Sequence, residues 1–391
     1  MSMGEERRAR AFRGALGADE HFLSLHAPPE DDFESQLRAL EAEYAALCAR
    51  LDLTPESAIF RRVYLSDAQN QAAAVAASTL GGTAAEGAVA VSFVEQPPLP
   101  GAKLALLAYH VGGGGATSKR RLGRHHILAE RNGSRHLWSG GLCGGANGGV
   151  QPGAAQPAAS QTRAVFGDLV AALAGVGANL RDHCVRTWIF LKDVDVFYEE
   201  MVAARRALFA AEGLTAQTHY IASTGIEGAC ADRYDLIAMD AYSLPDLAPG
   251  QRRHLNDFSH LCATQHYNVT FERATRIGWA DRAHIFLSGT ASIDATGRIL
   301  HPGDVLAQLE RALANGEALL RSGGGGLGDL MHLLVYLRDA SDFARVDAAL
   351  RARFPELPIL ILAAPVCRPG WLVEIEGVAI IEAAEPDLPR F

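Results

Sequence analysis

The stretch LLVYLRDASDF, residues 333–343, has the apolar, β-branched and aromatic composition of a buried strand and ends in charged residues. Two other stretches repeat this pattern, FRRVYLSDAQN at 60–70 and VRTWIFLKDVDVF at 185–197. Each apolar run ends at an aspartate: Asp67, Asp193 and Asp339. A pattern that recurs at long, similar intervals indicates a repeated structural unit, so the sequence predicts three copies of one fold in a single chain.

The segments around each copy complete the predicted unit. Apolar residues at spacings of three and four predict a helix before each copy, at 33–51, 160–177 and 305–323. A second helix is predicted after the second and third copies, at 197–213 and 343–354. Each unit closes with an apolar strand, at 102–111, 234–243 and 371–380. Units two and three also begin with a predicted strand pair, with RNGS and DATGR as the hairpin turns.

Glycine, proline and charged residues near positions 118 and 250 predict the unit boundaries. The units are therefore expected at 1–117, 118–250 and 251–391. Each is predicted to be a sheet backed on one face by two helices, which makes the fold class α/β (α+β) with three tandem units.

Composition excludes several classes of function. The 391 residues carry a formal net charge of −9 and no dominant basic stripe, which argues against a nucleic-acid partner. No apolar run is long enough to predict a membrane span. The six cysteines show no metal-ligand spacing, so we expect a reduced, cytoplasmic protein without a metal site. GGGGLG at 323–328 follows a helix and precedes a strand, the reverse of a dinucleotide-binding motif.

The third unit resembles the RidA/YjgF family in three segments: HIFLSGTASIDATGRILHPGDVLAQLERALANGEALL, VYLRDASDFARVDAAL and LVEIEGVAI. The second unit resembles that family less closely, and the first is degenerate. Members of the family are small homotrimers with sites at the subunit interfaces. Three copies in one chain therefore imply a covalent pseudo-trimer, which we expect to act as a monomer.

The last strand, within 371–380, carries Glu374 and Glu376 on one face, because alternate residues of a strand point the same way. A solvent-facing polar stripe is one interpretation. The other is a carboxyl group held in a pocket as a general acid. The matching positions in the first two units are Ala105 and Ala238, so only the third copy keeps the carboxylate. This retention favours a functional Glu374.

The imine deaminases of the family use an arginine on the strand upstream of this glutamate, and Leu360 stands near that position. Four segments instead resemble the chorismatases, RidA-like enzymes that release pyruvate from chorismate: THYIASTGIEG, YNVTFERATRI, SGTAS and VCRPGWLVEIEG. This resemblance implies that Glu374 is the acid that protonates the enol methylene group, in a composite site between units two and three that needs no cofactor. Glu376 is then expected to be a more ordinary neighbour.

The same resemblance implies the other site residues. Cys367, seven residues before Glu374, resembles the branch that forms 3- or 4-hydroxybenzoate, whereas Ala274 resembles the hydrolytic branch that forms a dihydroxycyclohexadiene carboxylate. We expect hydroxybenzoate. The predicted substrate-binding residues, chosen chiefly as partners for the substrate carboxylates, are Arg186, Tyr220, Thr224, Gly225, Tyr267, Arg273 and Ala274. The alternative for each arginine is a surface ion pair, and for Tyr267 and Cys367 it is packing in the core. The alternative outside catalysis is a RidA-like binding protein for a small aromatic or keto acid.

Overall fold

The computed structural model describes residues 7–28, 32–83, 87–144, 157–264 and 269–391. The first sheet contains five strands: β1 (Ala9–Arg13), β2 (Asp19–His26), β3 (Ala58–Leu65), β4 (Ala90–Glu95) and β5 (Leu104–Gly112). Their order in the sheet is β1-β2-β5-β3-β4, with β3 and β4 parallel. Two helices accompany this sheet: α1 (Phe33–Arg50) and α2 (Ala68–Ala77).

The second sheet contains six strands: β6 (Ser118–Arg121), β7 (His126–Arg131), β8 (Ser134–Cys143), β9 (Cys184–Leu191), β10 (Ala222–Glu227) and β11 (Ile237–Ser243). Their order is β10-β9-β11-β8-β7-β6, which is the order of the first sheet with β6 added at one edge. Three helices belong to this unit: α3 (Pro157–Gly175), the short α4 (Leu180–His183) and α5 (Val194–Ala211).

The third sheet repeats the six-stranded arrangement: β12 (Arg252–Leu255), β13 (Ala274–Gly278), β14 (Arg282–Ala291), β15 (Leu330–Leu337), β16 (Ile359–Ala363) and β17 (Val373–Glu382). Their order is β12-β13-β14-β17-β15-β16. The helices are α6 (Val305–Ser322) and α7 (Phe343–Arg353). The predicted α/β fold of three tandem sheet-and-helix units is therefore confirmed. The boundaries at 117/118 and 250/251 remain predictions.

Three local predictions differ from the structure. The first unit contains a helix after Asp67, α2, and an opening strand pair, β1 and β2, which the sequence analysis did not predict. The RNGS hairpin is confirmed, since β7 pairs with β8 across Asn132 and Gly133, both at positive φ. The DATGR turn also forms, closed by the backbone hydrogen bond from Asp294 N–H to the Arg298 carbonyl (3.1 Å), but the expected strand pair is reduced to an isolated antiparallel bridge between Ile293 and Ile299, and the strand partner of β14 is β13.

The helix that follows the second copy of the repeat, α5, is held at its N-terminus by long-range contacts. Asp193 adopts φ 52° and does not cap the helix with its side chain. Glu227 of β10 caps it instead, because its carboxylate accepts hydrogen bonds from the backbone N–H groups of Asp193 (2.9 Å) and Val194 (2.7 Å). Arg338, from the third unit, donates two hydrogen bonds of 2.9 Å to Asp195. The first turn of α5 is therefore fixed against both its own sheet and the next unit.

Aromatic side chains from all three sheets meet where the units join. Phe22 and Tyr109 belong to the first unit, Trp138 and Tyr242 to the second, and Phe286 to the third. Successive ring centroids in this series lie 4.7, 5.4, 4.4 and 5.5 Å apart. Such contacts, added to the apolar area that they bury, stabilise the three sheets as one closed ring.

Each junction between units also contains a buried ion pair. Arg62 Nε lies 2.7 Å from Asp240 Oδ2 between units one and two, and both side chains are 1% exposed. Arg186 pairs with Glu376 between units two and three. Between units one and three, Glu20 accepts hydrogen bonds from Arg282 (2.8 Å) and pairs with His284 (2.7 Å). Because removal of one partner leaves a buried charge uncompensated, these pairs favour a single arrangement of the units.

The Glu20 pair predicts how stability changes with pH. Burial alone would raise the pKa of Glu20, but the contacts with His284 and Arg282 outweigh burial and lower it to about 2. A depressed folded-state pKa gives stability that is present above the unfolded pKa and lost as pH falls toward 2. We expect a loss on the order of 3 kcal/mol between pH 5 and pH 2, measured by urea unfolding. In Glu20→Gln this loss should be smaller, and parallel pH profiles for the two proteins would contradict the assignment.

None of the helices in the described residues combines the length and apolar character needed to cross a membrane.

Candidate active site

A cavity of about 870 Å³ opens between the second and third units. Helix α5 and strand β10 of the second unit form one wall. Strand β14, the segment before β13 and the segment before β17 form the wall from the third unit. Clefts with these dimensions accommodate small organic ligands, and neither unit alone would enclose this one.

Glu374 reaches the cavity from β17, where its backbone pairs with Tyr336 of β15 and Ala291 of β14. The residue is 5% exposed. A bulge in β14 places Gly289 directly against the carboxyl group, and a Cβ atom on Gly289 would lie 2.0 Å from Glu374 Oε1. The absence of a side chain at Gly289 is therefore what makes room for the Glu374 carboxyl group.

The environment of Glu374 favours its protonated form. Burial is the largest cause, and the negative charge of Glu376 adds to it, so that the pKa of Glu374 is raised to about 8. The positive charges of Arg273 and Arg186 oppose this shift without cancelling it. Among the described residues, no group donates a hydrogen bond to the Glu374 carboxyl. At pH 7 this carboxyl is a neutral acid that faces the cavity.

Glu376 lies behind Glu374 and is held by three side chains. Its Oε2 atom accepts hydrogen bonds from Arg186 and from the hydroxyl of Thr224, and its Oε1 atom accepts one from Tyr336 (2.6 Å). Arg186 also donates to Thr224 Oγ1 at 2.6 Å. Hydrogen bonds to a carboxylate favour its charged form, so Glu376 is the ionised member of the pair. Glu376 is 1% exposed, and the interpretation of a solvent-facing stripe is wrong for both glutamates.

The strand register places the three equivalent positions of the repeat together. In each closing strand, one residue pairs with the aromatic residue of the repeated strand: Ala105 with Tyr64, Ala238 with Phe190 and Glu374 with Tyr336. The predicted correspondence between Glu374 and the two alanines is confirmed. Only the third unit therefore carries an acid at this position.

Four arginines line the cavity: Arg205, Arg206, Arg273 and Arg368. Arg205 on α5 is 2% exposed and donates to Thr270 Oγ1 at 3.2 Å. Arg273 donates to the carbonyl oxygen of Cys262 at 3.0 Å. The Arg368 guanidinium lies over the Trp371 ring, 4.8 Å from its centroid. These contacts fix cationic groups on both walls, where an anionic ligand would meet them.

Sequence reasoning predicted Arg273 but did not assign Arg205, Arg206 or Arg368 to the site. The adjacent arginines of α5 resemble any solvated helix face when they are considered alone. Their role becomes visible only when α5 is placed against the third unit. Thr224 and Gly225, which were predicted, line the cavity from β10.

Cys367 also lines the cavity, and its thiol is neutral. Burial, together with the nearby Glu374 carboxyl, raises the pKa of Cys367 to about 12, although a hydrogen bond with Tyr198 of α5 acts in the other direction. A thiol with so high a pKa is a poor nucleophile. Cys367 therefore contributes to the shape and polarity of the cavity near Glu374.

Three predicted binding residues lie outside the cavity lining. Arg186 is buried and forms an ion pair with Glu376, so its positive charge is compensated inside the protein and does not line the cavity. The Tyr220 ring packs against Phe209 at 6.4 Å within the second unit, away from the cavity. Ala274 is fully buried on β13, on the face opposite to Arg273, because neighbouring residues of a strand alternate. Tyr267 lies outside the described residues.

No group of three or more His, Cys, Asp or Glu side chains in the described ranges converges as a metal site would require.

Comparison with known proteins shows the family. The model of the family described as endoribonuclease L-PSP matches residues 271–381. A RutC family protein of Pyrococcus abyssi is 35% identical over 101 residues, which are 25% of this chain and 79% of that protein. The chain belongs to the RidA-like superfamily of RutC and L-PSP proteins.

Two further similarities are to a solved structure and to a characterised enzyme. The crystal structure of a chorismatase superposes with a TM-score of 0.63 and covers 93% of this chain and 99% of that one, at 18% identity. This RidA-like chain therefore has the fold of a chorismatase. The 3-hydroxybenzoate synthase of Streptomyces hygroscopicus is 37% identical over 106 residues, which are 25% of this chain and 31% of that enzyme. The match thus spans about a third of the synthase.

Proposed function

We propose that this RidA-like protein is a chorismatase that cleaves the enolpyruvyl ether of chorismate to pyruvate and 3- or 4-hydroxybenzoate. The observation that carries the proposal is the Glu374 carboxyl group, which is buried, protonated at neutral pH and directed into a cavity with four arginines. The similarity to a chorismatase structure and to a 3-hydroxybenzoate synthase supports it.

The substrate chemistry matches this site. Chorismate carries two carboxylates, which the arginines on the two walls would neutralise, and an enol ether, which is activated by protonation at carbon. Glu374 would transfer its proton to the methylene carbon, and the alkene electron pair would form the new C–H bond. The resulting oxocarbenium ion would then lie beside the carboxylate that Glu374 has become, which stabilises positive charge.

Two products are consistent with this first step. Pyruvate plus hydroxybenzoate accounts for all the atoms of chorismate, whereas pyruvate plus the dihydroxycyclohexadiene carboxylate requires one added water molecule. The neutral Cys367 thiol beside Glu374 favours the hydroxybenzoate product, in keeping with its position in that branch of the family. The hydrolytic reaction remains the alternative.

The direct test is incubation of the purified protein with chorismate, with pyruvate quantified and the ring products separated by chromatography. We expect pyruvate and a hydroxybenzoate in equal amounts. Pyruvate with the non-aromatic diol would favour the hydrolytic alternative. Pyruvate at no more than the spontaneous rate, combined with calorimetric binding of a small aromatic or keto acid, would instead favour the RidA-like binding protein.

The proposed acid also predicts the pH dependence of turnover. Only protonated Glu374 can donate, and its pKa is raised to about 8, so kcat should be constant near neutrality and fall as pH rises through about 8. Initial rates of pyruvate release at saturating chorismate measure this profile. A rate that rises between pH 7 and pH 9 would contradict the assignment of Glu374 as the acid.

Two properties are proposed together with the activity: action as a monomer, because each of the three units contacts both others within one chain, and a cytoplasmic location, because six free cysteines suit a reducing compartment.

A further inference from the structure

The general acid mechanism leaves one buried charged group without a role. Glu376 is as deeply buried as any core residue, yet it is a carboxylate and lies two residues from the proposed acid on the same face of β17. An ionised group in such a place is unfavourable unless it is fully compensated. An apolar residue would be less costly at this position, so the presence of a carboxylate next to the cavity suggests that it has a role.

The compensation of Glu376 comes from both units. Arg186 of β9 and Thr224 of β10 belong to the second unit, and Tyr336 of β15 belongs to the third. The Thr224 hydroxyl donates to Glu376 and accepts from Arg186 and from the Gly289 N–H (2.9 Å). Donors therefore surround Glu376, whereas none from the described part of the chain reaches the Glu374 carboxyl. Of the two neighbouring carboxyl groups, Glu374 is therefore the one on which a proton is favoured.

We infer that Glu376 is a positioning residue: its carboxylate, held ionised by Arg186, Thr224 and Tyr336, keeps the proton on Glu374. Two buried carboxyl groups at alternate positions of one strand repel each other when both are ionised, so a charge fixed on Glu376 favours the protonated form of Glu374. The same contacts span the junction between units, so the acid is set in its reactive form only when the second and third units are assembled. The inference deepens the proposed function, and for its catalytic consequence it rests on that function.

Four ionisable groups next to Glu374 bear most directly on this assignment, and the other charged side chains of the cavity are Asp195, Glu199, Arg205, Arg206 and Arg368. Glu376 on β17 favours the protonated form, and its effect is larger than the opposing effect of either Arg273 or Arg186. Cys367 contributes no charge, because its thiol is neutral. Removal of the Glu376 charge should therefore leave Glu374 under the influence of the two arginines, which would favour ionisation.

The test is a titration of the Glu374 carboxyl in the free protein, without substrate. The C=O stretch of the protonated carboxyl is followed by infrared spectroscopy and assigned by difference from Glu374→Gln. In wild type we expect the band to disappear near pH 8. In Glu376→Gln, which keeps size and shape but removes the charge, we expect it to disappear at a pH lower by about one unit or more.

Asp240→Asn is the matched control. Asp240 forms a buried pair with Arg62, at the junction of units one and two, and the change removes the carboxylate that is paired with this arginine while Glu376 keeps its charge. Like Glu376→Gln, it should lower the stability of the protein. The pH at which the Glu374 carboxyl band disappears should stay the same as in wild type. If Glu376→Gln does not fold, Arg186→Gln/Glu376→Gln removes both buried charges and should still lower the titration pH.

An unchanged Glu374 titration in a folded Glu376 variant would overturn the inference, and an equal shift in Asp240→Asn would overturn it as well. Because no substrate is present, this result does not depend on whether the protein cleaves chorismate. If it does, the fall in kcat at high pH should move with the infrared titration.

Discussion

The Glu374→Gln variant is expected to release pyruvate from chorismate about 10³-fold more slowly than wild type, within the range that general acid catalysis contributes. Glutamine has almost the same shape as a protonated glutamate and fits the space that Gly289 leaves open. It cannot donate a proton to carbon. The loss should therefore appear in kcat, with little change in KM, because the arginines that would bind the substrate remain in place.

Glu382→Gln is the control for this experiment. Glu382 is the last residue of β17, and strand alternation places it on the same face as Glu374, but it is exposed at the far end of the strand. Its amide variant should turn over at the wild-type rate. Activity in Glu374→Gln within tenfold of wild type would exclude Glu374 as the proton donor, even if pyruvate release itself is observed.

The second large effect is expected for Gly289→Ala, with a fall in kcat of about 10²-fold, since small displacements of a reacting group have effects of this size. The new methyl group would lie 2.0 Å from Glu374 Oε1 and 3.1 Å from Thr224 Cγ2, so the carboxyl must move. The Gly289 N–H also donates to Thr224, and movement of this strand would disturb the contacts of Glu376. Steady-state kinetics with chorismate would measure the loss, and circular dichroism would confirm the fold.

Gly316→Ala provides the matched control for a methyl group added beneath the same sheet. Gly316 lies in α6, and its new Cβ atom would meet Ile375 Cδ1 at 3.6 Å and Leu287 Cδ1 at 3.8 Å, which are ordinary packing distances. We expect wild-type turnover, with stability unchanged or slightly increased, because alanine favours a helix more than glycine does. Equal activity in the two variants would show that the position of the Glu374 carboxyl is not critical.

Local sequence pattern was sufficient to predict most of the secondary structure. The three repeated strands and most of their helices were predicted, because apolar periodicity records which faces are buried. The helix α2 was missed, since its alanine-rich sequence gives a weak periodic signal. The turn after Asp294 was predicted as a hairpin, but a turn sequence does not specify which strand will pair with β14.

Arg186 shows the limit of assigning a role from sequence. It was predicted to bind a substrate carboxylate because it is cationic, but in the structure its guanidinium donates to Glu376, 190 residues further along the chain. Conversely, Arg205 and Arg368 line the cavity although no motif marks them. Both outcomes depend on which side chains the junction brings together, and this information is spread over two units.

Residue types and spacings along the chain were sufficient to predict the threefold repetition, the α/β architecture and the single unit that keeps a glutamate on its last strand. These follow from residue types at regular spacings, which act through local conformation and burial. The tertiary structure alone decided which glutamate holds the proton and which arginines face the cavity. Protonation depends on burial and on charges within a few ångströms, and at this site those charges come from strands that are adjacent only after the units have packed together.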